Sequence, residues 1–329
     1  MVTDLPLDQV RTLLAVVDEG TFDAAAAALH VTPSAVSQRV KALEQRTGRV
    51  LLLRTKPVRL TESGEVVVRF ARQLARLERD ARAELGMSGT GEATRVSVAV
   101  NSDSLATWFL DALTAVPRDL GLCFELHRED QDHTAALLRE GRVMAAVTSS
   151  SDPVTGCSVR ALGRMRYVPV AHPGFAAAHL RGPLRETLAT APVVVFDRRD
   201  DLQDGYVRRL CPGRGGASAV RHYVPTSEGF VECVAAGLGW GLVPEVHAEP
   251  LLASGRLVRL VPDGADRMGG TGGADGIDRA DCADCADCAD CADCAVDVPL
   301  YWQQWKLDSP ALAAVADAVA ATAAGALRQ

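Results

Sequence analysis

Apolar residues recur with helical spacing through the first ninety positions. Val10, Leu13, Leu14 and Val17 fall at i, i+3, i+4 and i+7, which predicts a helix with one buried face, ended by Gly20. Thr21 is placed to cap a second, Ala-rich helix whose Ala25, Ala28 and Leu29 form the inner face. After His30-Val31, Thr32 and Pro33 read as the N-cap and first residue of a third helix. Val36, Val40 and Leu43 supply its core stripe, and Gly48 closes it. Three short helices with a tight turn between the second and third predict a helix-turn-helix. Leu51-Leu52-Leu53 and Val58-Leu60 predict two short strands, with Arg54-Thr55-Lys56-Pro57 at the tip of a wing.

A long helix is predicted from Thr61. Val67, Phe70, Leu74, Leu77 and Ala81 stand 3, 4, 3 and 4 residues apart, the spacing of a seam that pairs two chains, flanked by Arg69, Arg72, Arg76, Arg79 and Arg82. The competing reading is a helix packed on its own domain. Gly86-Met-Ser-Gly-Thr-Gly-Glu then has the composition of a flexible linker.

Beyond Thr94 the pattern changes to short apolar runs separated by helical stretches. VSVAV (96–100), LCFEL (122–126) and VMAAV (143–147) predict strands, with helices near 105–115 and 134–139 between them. PVVVF (192–196), RHYV (221–224) and WGLVP (240–244) predict a second series. Two open α/β lobes generally bind small molecules at strand carboxyl ends, in the cleft they form.

Charge alters this picture. The 329 residues carry a net charge of −7, which by itself speaks against a nucleic-acid binder. Yet His30 to Thr61 holds seven basic residues (Arg39, Lys41, Arg46, Arg49, Arg54, Lys56 and Arg59) against the single acid Glu44. Phosphates respond to that local field, because screening limits reach to about 8–10 Å at physiological salt. On the outward side of the third helix, Ser34, Ser37, Gln38 and Lys41 face away from the core stripe and Arg39 flanks it. Gln and Arg suit base edges, while Ser and Lys suit phosphates. A merely solvated helix face has the same appearance; the adjacent basic wing tips the balance to DNA. Thr32, Pro33, Ser34, Ser37, Gln38, Arg39, Lys41, Arg54, Lys56 and Arg59 are the expected DNA contacts.

Hydrophobic residues at 48% and charged residues at 23% are ordinary for a globular chain. The opening residues carry acids where a secretory signal carries basic residues, and no apolar run approaches a membrane span, so a cytoplasmic location is expected. Five of the nine cysteines belong to the repeat ADCADCADCADCADC; the others, Cys123, Cys157, Cys211 and Cys233, are scattered without metal-ligand spacing. An exact tripeptide repeat after the Gly-rich GGTGGADG reads as an expansion in a disordered excursion, and no metal site or cofactor is expected. The chain has no G-x-S-x-G elbow, G-x-x-x-x-G-K-[ST] loop or H-E-x-x-H motif. Gly237, Gly239 and Gly241 lack dinucleotide spacing and read as tight helix-to-strand packing. No enzyme is expected.

The stretch LLAVVDEGTFDAAAAALHVTPSAVSQRVKALEQRTGRVLLLRTKPVRLTESGE resembles the DNA-binding region of LysR-type transcriptional regulators, through Ala25-Ala26, Leu29, Ala35-Val36-Ser37, Leu43-Glu44, Gly48, Arg54, Leu60-Thr61 and Gly64. VAVNSDSLATWFLDAL, APVVVFDRRDD, SEGFVECVAAGLGWGLVP and PLYWQQWKL extend the resemblance, and are similar to the branch containing ArgP and LysG, associated with basic amino acids and their export. Pro33 departs from the Gln common in the family, and Leu52-Leu53 from the usual Leu-Phe.

The resemblance implies an all-α winged helix-turn-helix over 1–60, a dimerisation helix over 61–88 and a two-lobed α/β, periplasmic-binding-protein-like effector domain over 89–329. Lobe I takes about 95–166 and 297–329, lobe II about 167–263, and the disordered insert about 264–296. The chain crosses near Arg166–Ala171 and returns before Tyr301. It implies a homodimer, with pairing of dimers open, on double-stranded operator DNA.

Candidate effector contacts sit where strands end: Asn101, Ser102, Asp103, Ser104, Glu129, Asp130, Thr148, Asp197, Ser227 and Glu228. Such a collection of carboxylates suits the ammonium or guanidinium of lysine or arginine, with hydroxyls and N–H groups at Ser102 and Ser104 for the α-carboxylate. Each acid taken singly is more often a solvated loop residue, and Ser102 or Asp103 is equally a helix cap. Trp108 reads as packing. A regulator with an unrelated effector, or a solute-binding protein, stays open.

Overall fold

The computed structural model describes residues 4–85, 87, 94–128, 131–213, 215–261 and 294–329. Glu129, Asp130 and the Ala-Asp-Cys repeat up to Asp293, hence nearly all of the expected insert, lie outside them. The described residues fall into two compact units. The first comprises Met1–Asn101, Asp111–Ala161 and Tyr301–Ala321; the second comprises Ser102–Leu110, Leu162–Leu300 and Thr322–Gln329.

The first unit opens with a head, α1 (Leu7–Asp18), α2 (Phe22–Ala28), α3 (Pro33–Thr47) and the hairpin β1 (Leu52–Leu53) and β2 (Arg59–Leu60), followed by the long α4 (Glu62–Glu84). Thr21 and Thr32 cap α2 and α3 as the sequence predicts, each hydroxyl accepting from the N–H three residues on at 3.2 Å. Val10, Leu13, Val16, Ala25, Ala26, Val36, Val40, Leu43, Leu51 and Leu52 form one core. Each large aliphatic side chain removed from water there contributes about 1.5–3 kcal/mol. Ala28, expected inside, is exposed: α2 lasts barely two turns, and Ala25 and Ala26 take the inward positions.

α4 divides its apolar residues between two faces. Val67, Val68 and Ala71 close the head's own core, so Val67, expected in a pairing seam, is committed inside the chain. Phe70, Leu77 and Ala81 are exposed and Leu74 half-buried, with exposed Val66 and Leu85 extending the same stripe.

The rest of the first unit is an α/β lobe. β3 (Thr94–Val100) leads to α5 (Ser102–Thr107) and α6 (Phe109–Thr114), which break at Trp108 where a single helix was expected. β4 (Leu122–Arg128), α7 (Gln131–Arg139) and β5 (Ala145–Thr148) follow. β3 pairs in parallel with β4 and β5, as βαβ connections require.

The 15-residue β6 (Cys157–Ala171) carries the chain into the second unit, changing units after Ala161 rather than near Arg166. There it is joined by α8 (Pro173–His179), α9 (Leu184–Thr187), β7 (Val193–Val195), α10 (Leu202–Leu210), β8 (Arg221–Tyr223), α11 (Ser227–Ala235), β9 (Gly241–Pro244), α12 (Glu245–Ala253) and β10 (Val258–Arg259). β7 and β8 are parallel, and β6 pairs antiparallel with β9 and β10. α11 packs Phe230, Val231 and Val234 onto Val168, Val170, Val194 and Val243. A Cβ on Gly241 would stand 2.8 Å from the Phe230 ring, so the closeness of helix and strand explains that glycine. β11 (Val296–Trp305) returns the chain, changing units at Tyr301 and pairing antiparallel with β5; α13 (Pro310–Ala326) follows.

Candidate DNA-reading face and carboxylate site

α3 presents Thr32, Pro33, Ser34, Gln38 and Lys41 to solvent, with Ser37 and Arg39 half-buried beside the Val36, Val40, Leu43 stripe. Arg54, Lys56 and Arg59 are exposed on the hairpin, where Arg54 lies over the Phe22 ring, 5.4 Å from its centroid. Glu44, the lone acid of this basic stretch, is turned inward. Its Oε1 accepts from the backbone N–H groups of Leu51 (2.9 Å) and Leu52 (3.4 Å), tying the end of α3 to the first strand of the wing. The carboxylate is thereby spent on architecture while the cations stay outside. Thr61 completes the joint, donating to the Val50 carbonyl at 2.7 Å and accepting from Gly64 N–H at 3.0 Å at the start of α4.

The acids gather elsewhere, within the second unit. Asp103, on the first turn of α5, accepts from the Tyr167 hydroxyl at Oδ2 and from the Ser227 hydroxyl at Oδ1, both at 2.7 Å. Ser227 N–H also donates to the Ser102 hydroxyl at 3.3 Å. Tyr167 lies on β6 and Ser227 opens α11, so residues 102, 103, 167 and 227 meet through tertiary structure alone. Asp200 belongs to the same unit and feels the charge of Asp103. Its oxygens accept from the N–H groups of Phe196 (3.0 Å) and Leu202 (2.9 Å) in the loop leaving β7.

Burial lifts the Asp200 carboxyl above its ordinary range, the two N–H groups pull it back, and the charges of Asp197 and Asp103 push it further up. The Tyr167 phenol is driven well above its usual value, first by burial and then by Asp103, with Asp200 adding to the effect. None of the ion pairs among the described residues involves Asp103 or Asp200. Asp103 and Asp200, both half-buried, thus have hydroxyls and N–H groups as partners, and the charge of the first acts on the second. That arrangement favours a cation.

Other expected contacts are placed differently. Asp197 braces the same loop, accepting from Arg199 N–H (2.6 Å) and Asp200 N–H (3.0 Å). Glu228 is exposed on α11. Ser104 is fully buried, and its hydroxyl and the Trp108 indole N–H find no partner among the described residues. Asn101 and Thr148 belong to the first unit, ending the adjacent parallel strands β3 and β5. Thr148 holds its own loop, its hydroxyl accepting from Ser150 N–H at 2.8 Å. Asp130 lies outside the described residues. Tyr167 and Asp200 are the two members that the strand-end rule does not find. Tyr167 sits inside a strand, and Asp200 is hidden in the run Asp197-Arg-Arg-Asp-Asp.

A helix-turn-helix with a basic wing and two α/β lobes point to one family. The model for the bacterial regulatory helix-turn-helix protein, lysR family, matches residues 7–65, and that for the LysR substrate binding domain matches residues 89–268. The chain belongs to the LysR family of transcriptional regulators. This LysR-type regulator is 45% identical over 322 residues to the HTH-type transcriptional regulator LysG of Mycobacterium tuberculosis, covering 97% of this chain and 94% of that protein. Its fold matches the crystal structure of ArgP from Mycobacterium tuberculosis with a TM-score of 0.80 and 44% identity, covering 97% of this chain and 98% of that one. Full-length LysG from Corynebacterium glutamicum with bound effector Arg matches with a TM-score of 0.77 and 38% identity, covering 98% and 100%. Among the described residues of this LysR-type regulator, no helix is long and apolar enough to cross a membrane.

Proposed function

We propose that this regulator senses a basic amino acid, lysine or arginine, and controls transcription of an amino-acid exporter gene. The observation that carries the reading is the pair Asp103 and Asp200, two half-buried carboxylates that meet hydroxyls and N–H groups, the charge of the first raising the pKa of the second. A guanidinium or ammonium entering that region gains charge-assisted hydrogen bonds and relieves the repulsion of like charges. The effector Arg bound by the Corynebacterium glutamicum relative supports the same chemistry.

In this reading Asn101, Ser102, Ser104, Thr148 and Ser227 supply polar contacts to the ligand, while Asp197 and Glu228 add to its negative surroundings. Thr32, Pro33, Ser34, Ser37, Gln38, Arg39, Lys41, Arg54, Lys56 and Arg59 form the DNA contact surface. The stripe of exposed Phe70, Leu77 and Ala81 with half-buried Leu74 pairs two copies of α4, which sets two recognition helices on successive half-sites. The protein acts in the cytoplasm and performs no catalysis of its own.

Calorimetry of the full chain with arginine, lysine and histidine tests the sensing half. Binding by arginine or lysine is expected. A folded protein that binds none of the three defeats the effector assignment and leaves the DNA reading standing.

A further inference from the structure

We infer that Arg72 is a positioning residue that fastens the DNA-reading head to the α/β lobe of the first unit through a single guanidinium. Its Nη2 lies 2.6 Å from Oδ1 of Asp18, the last residue of α1. Its Nη1 donates to the Glu140 carbonyl just past α7, at 2.5 Å. α1 packs on α3, and α7 packs on β5, the strand that ends in Thr148. One side chain thus spans from the support of the recognition helix to the support of a strand end in the lobe.

The chemistry at both ends suits an arginine. The carbonyls of Arg139 and Glu140 lie beyond the reach of N–H groups of α7, at the negative end of its dipole, where a cation is favoured. Arg69 takes the first at 3.5 Å and Arg72 the second. The α4 backbone comes close enough for this because residue 141 is glycine. At φ +70°, a Cβ there would stand 3.1 Å from the Arg69 Cα. One turn further along α4, Arg76 is 2% exposed, pairs with Asp80 at 3.0 Å and donates to the Arg95 carbonyl at the start of β3, at 2.8 Å. Among the described residues, Arg72 is the one of these three arginines that also bonds the head.

A planar guanidinium can offer separate N–H groups to two acceptors in fixed directions, which a lysine ammonium on a flexible stem does not reproduce. The Arg72 side chain is 17% exposed, so solvent screens it less than Arg11, which is 54% exposed in its pair with Glu78. The Arg11 pair joins the head to α4 only, whereas the Arg72 pair continues into the lobe.

The test compares the full-length parent with R72A, R72K, D18N and R11A. Hydrogen exchange is measured across residues 138–142, and operator affinity with and without saturating arginine. D18N, a change confined to the head, is expected to speed exchange at 138–142 in the lobe, as are both Arg72 variants; R11A is expected to leave it unchanged. The operator response to arginine, expected in the parent within the roughly 5–150-fold range of ordinary coupling, should shrink toward onefold in D18N and R72K. Arginine affinity itself should hold. Parental exchange at 138–142 in both D18N and R72A overturns the proposal, as does an equal gain in R11A. A parent whose operator affinity ignores arginine and lysine counts against the effector reading instead, and the exchange result then decides the role of Arg72.

Discussion

The head and the carboxylate site treat charge in opposite ways. On α3 and the wing, Gln38, Lys41, Arg54 and Lys56 stand in solvent, and the one acid nearby is folded inward onto backbone N–H groups. In the second unit the acids are drawn in, and Asp103 and Asp200 are held by hydroxyls and N–H groups against repulsion between them. An exposed cationic surface binds a polyanion through long-range attraction that salt weakens. A half-buried carboxylate pair selects a small cation through short bonds and the cost of leaving like charges uncompensated. The first design needs only a rigid support, whereas the second needs distant segments brought to within hydrogen-bonding distance.

Destroying the support gives the largest expected effect. Leu43→Ala removes a fully buried side chain from the head core and should cost about 2–5 kcal/mol. Chemical denaturation reads that loss, and operator binding should disappear with it. Arginine binding should survive, because Asp103, Tyr167, Asp200 and Ser227 belong to the other unit, and Asn101 and Thr148 end strands of the lobe outside the head core. If arginine binding is lost in step with operator binding, the two regions are not separable as described.

Next comes the carboxylate itself. Asp103→Asn keeps an acceptor for one hydroxyl and removes the charge. Arginine affinity should fall about 100-fold, roughly 2.8 kcal/mol at about 1.4 kcal/mol per tenfold. Operator affinity without arginine should be unchanged. Titration calorimetry and anisotropy on the same preparation decide this, and a fall below about threefold would remove Asp103 from the site.

The contrast also explains what the sequence discloses. The head is local: its helices, caps and hairpin lie within 54 consecutive residues, from Leu7 to Leu60, and the periodicity of Val36, Val40 and Leu43 orients Gln38 and Lys41 outward without further information. The carboxylate site draws on positions 103, 167, 200 and 227. Strand ends in sequence lead to Asp103, Asp197 and Ser227. Tyr167 escapes because β6 does not alternate cleanly: Pro169 interrupts its donors, and its last five residues are all buried. Asp200 escapes because three acids occur within five residues, and only the fold shows that Asp197 braces the loop while Asp200 accepts from Phe196 and Leu202 and feels the charge of Asp103. Val67 misleads in the opposite direction. A 3-4-3-4 apolar pattern does not state which of two faces packs inside the chain, and α4 uses both.

A base-reading residue should give a smaller and more selective effect than Asp103. Gln38→Ala is expected to lower the preference for operator over unrelated DNA by about 1–3 kcal/mol, while binding to unrelated DNA stays near the parent's. Competition gel shifts at one salt concentration test it. Equal losses on both DNAs would make Gln38 a phosphate contact.

Asp200 offers a test through pH. Burial raises its carboxyl pKa in the folded chain, so it takes up a proton at a higher pH than an exposed carboxyl does. Above that raised value it is charged and attracts a cation; as pH falls through it, the attraction is lost. Arginine affinity should therefore decline on acidification, beginning above the usual carboxylate range, and Asp200→Asn should flatten the curve. The sign for folding is reversed: the native state binds the extra proton, so this group adds stability as pH falls through its raised pKa toward the unfolded value. Calorimetry across the acid range decides, and an identical pH profile in the variant would exclude Asp200.

The mildest change belongs to the wing. Lys56 is exposed at the hairpin tip, and no ion pair among the described residues engages it, so its ammonium is available to a phosphate. Lys56→Ala should weaken operator and random DNA alike, and reduce the slope of log affinity against log salt by about 0.9, the loss of one phosphate contact. Arg54 gives an internal comparison, since the Phe22 ring holds its guanidinium in place before DNA arrives. Binding then immobilises less side-chain freedom at Arg54 than at Lys56. Arg54→Ala should accordingly cost more affinity than Lys56→Ala for a similar change in salt slope, and Phe22→Leu should erase most of that difference. A Lys56 variant with the parent's slope would place the wing tip away from the duplex, leaving α3 to carry the attraction.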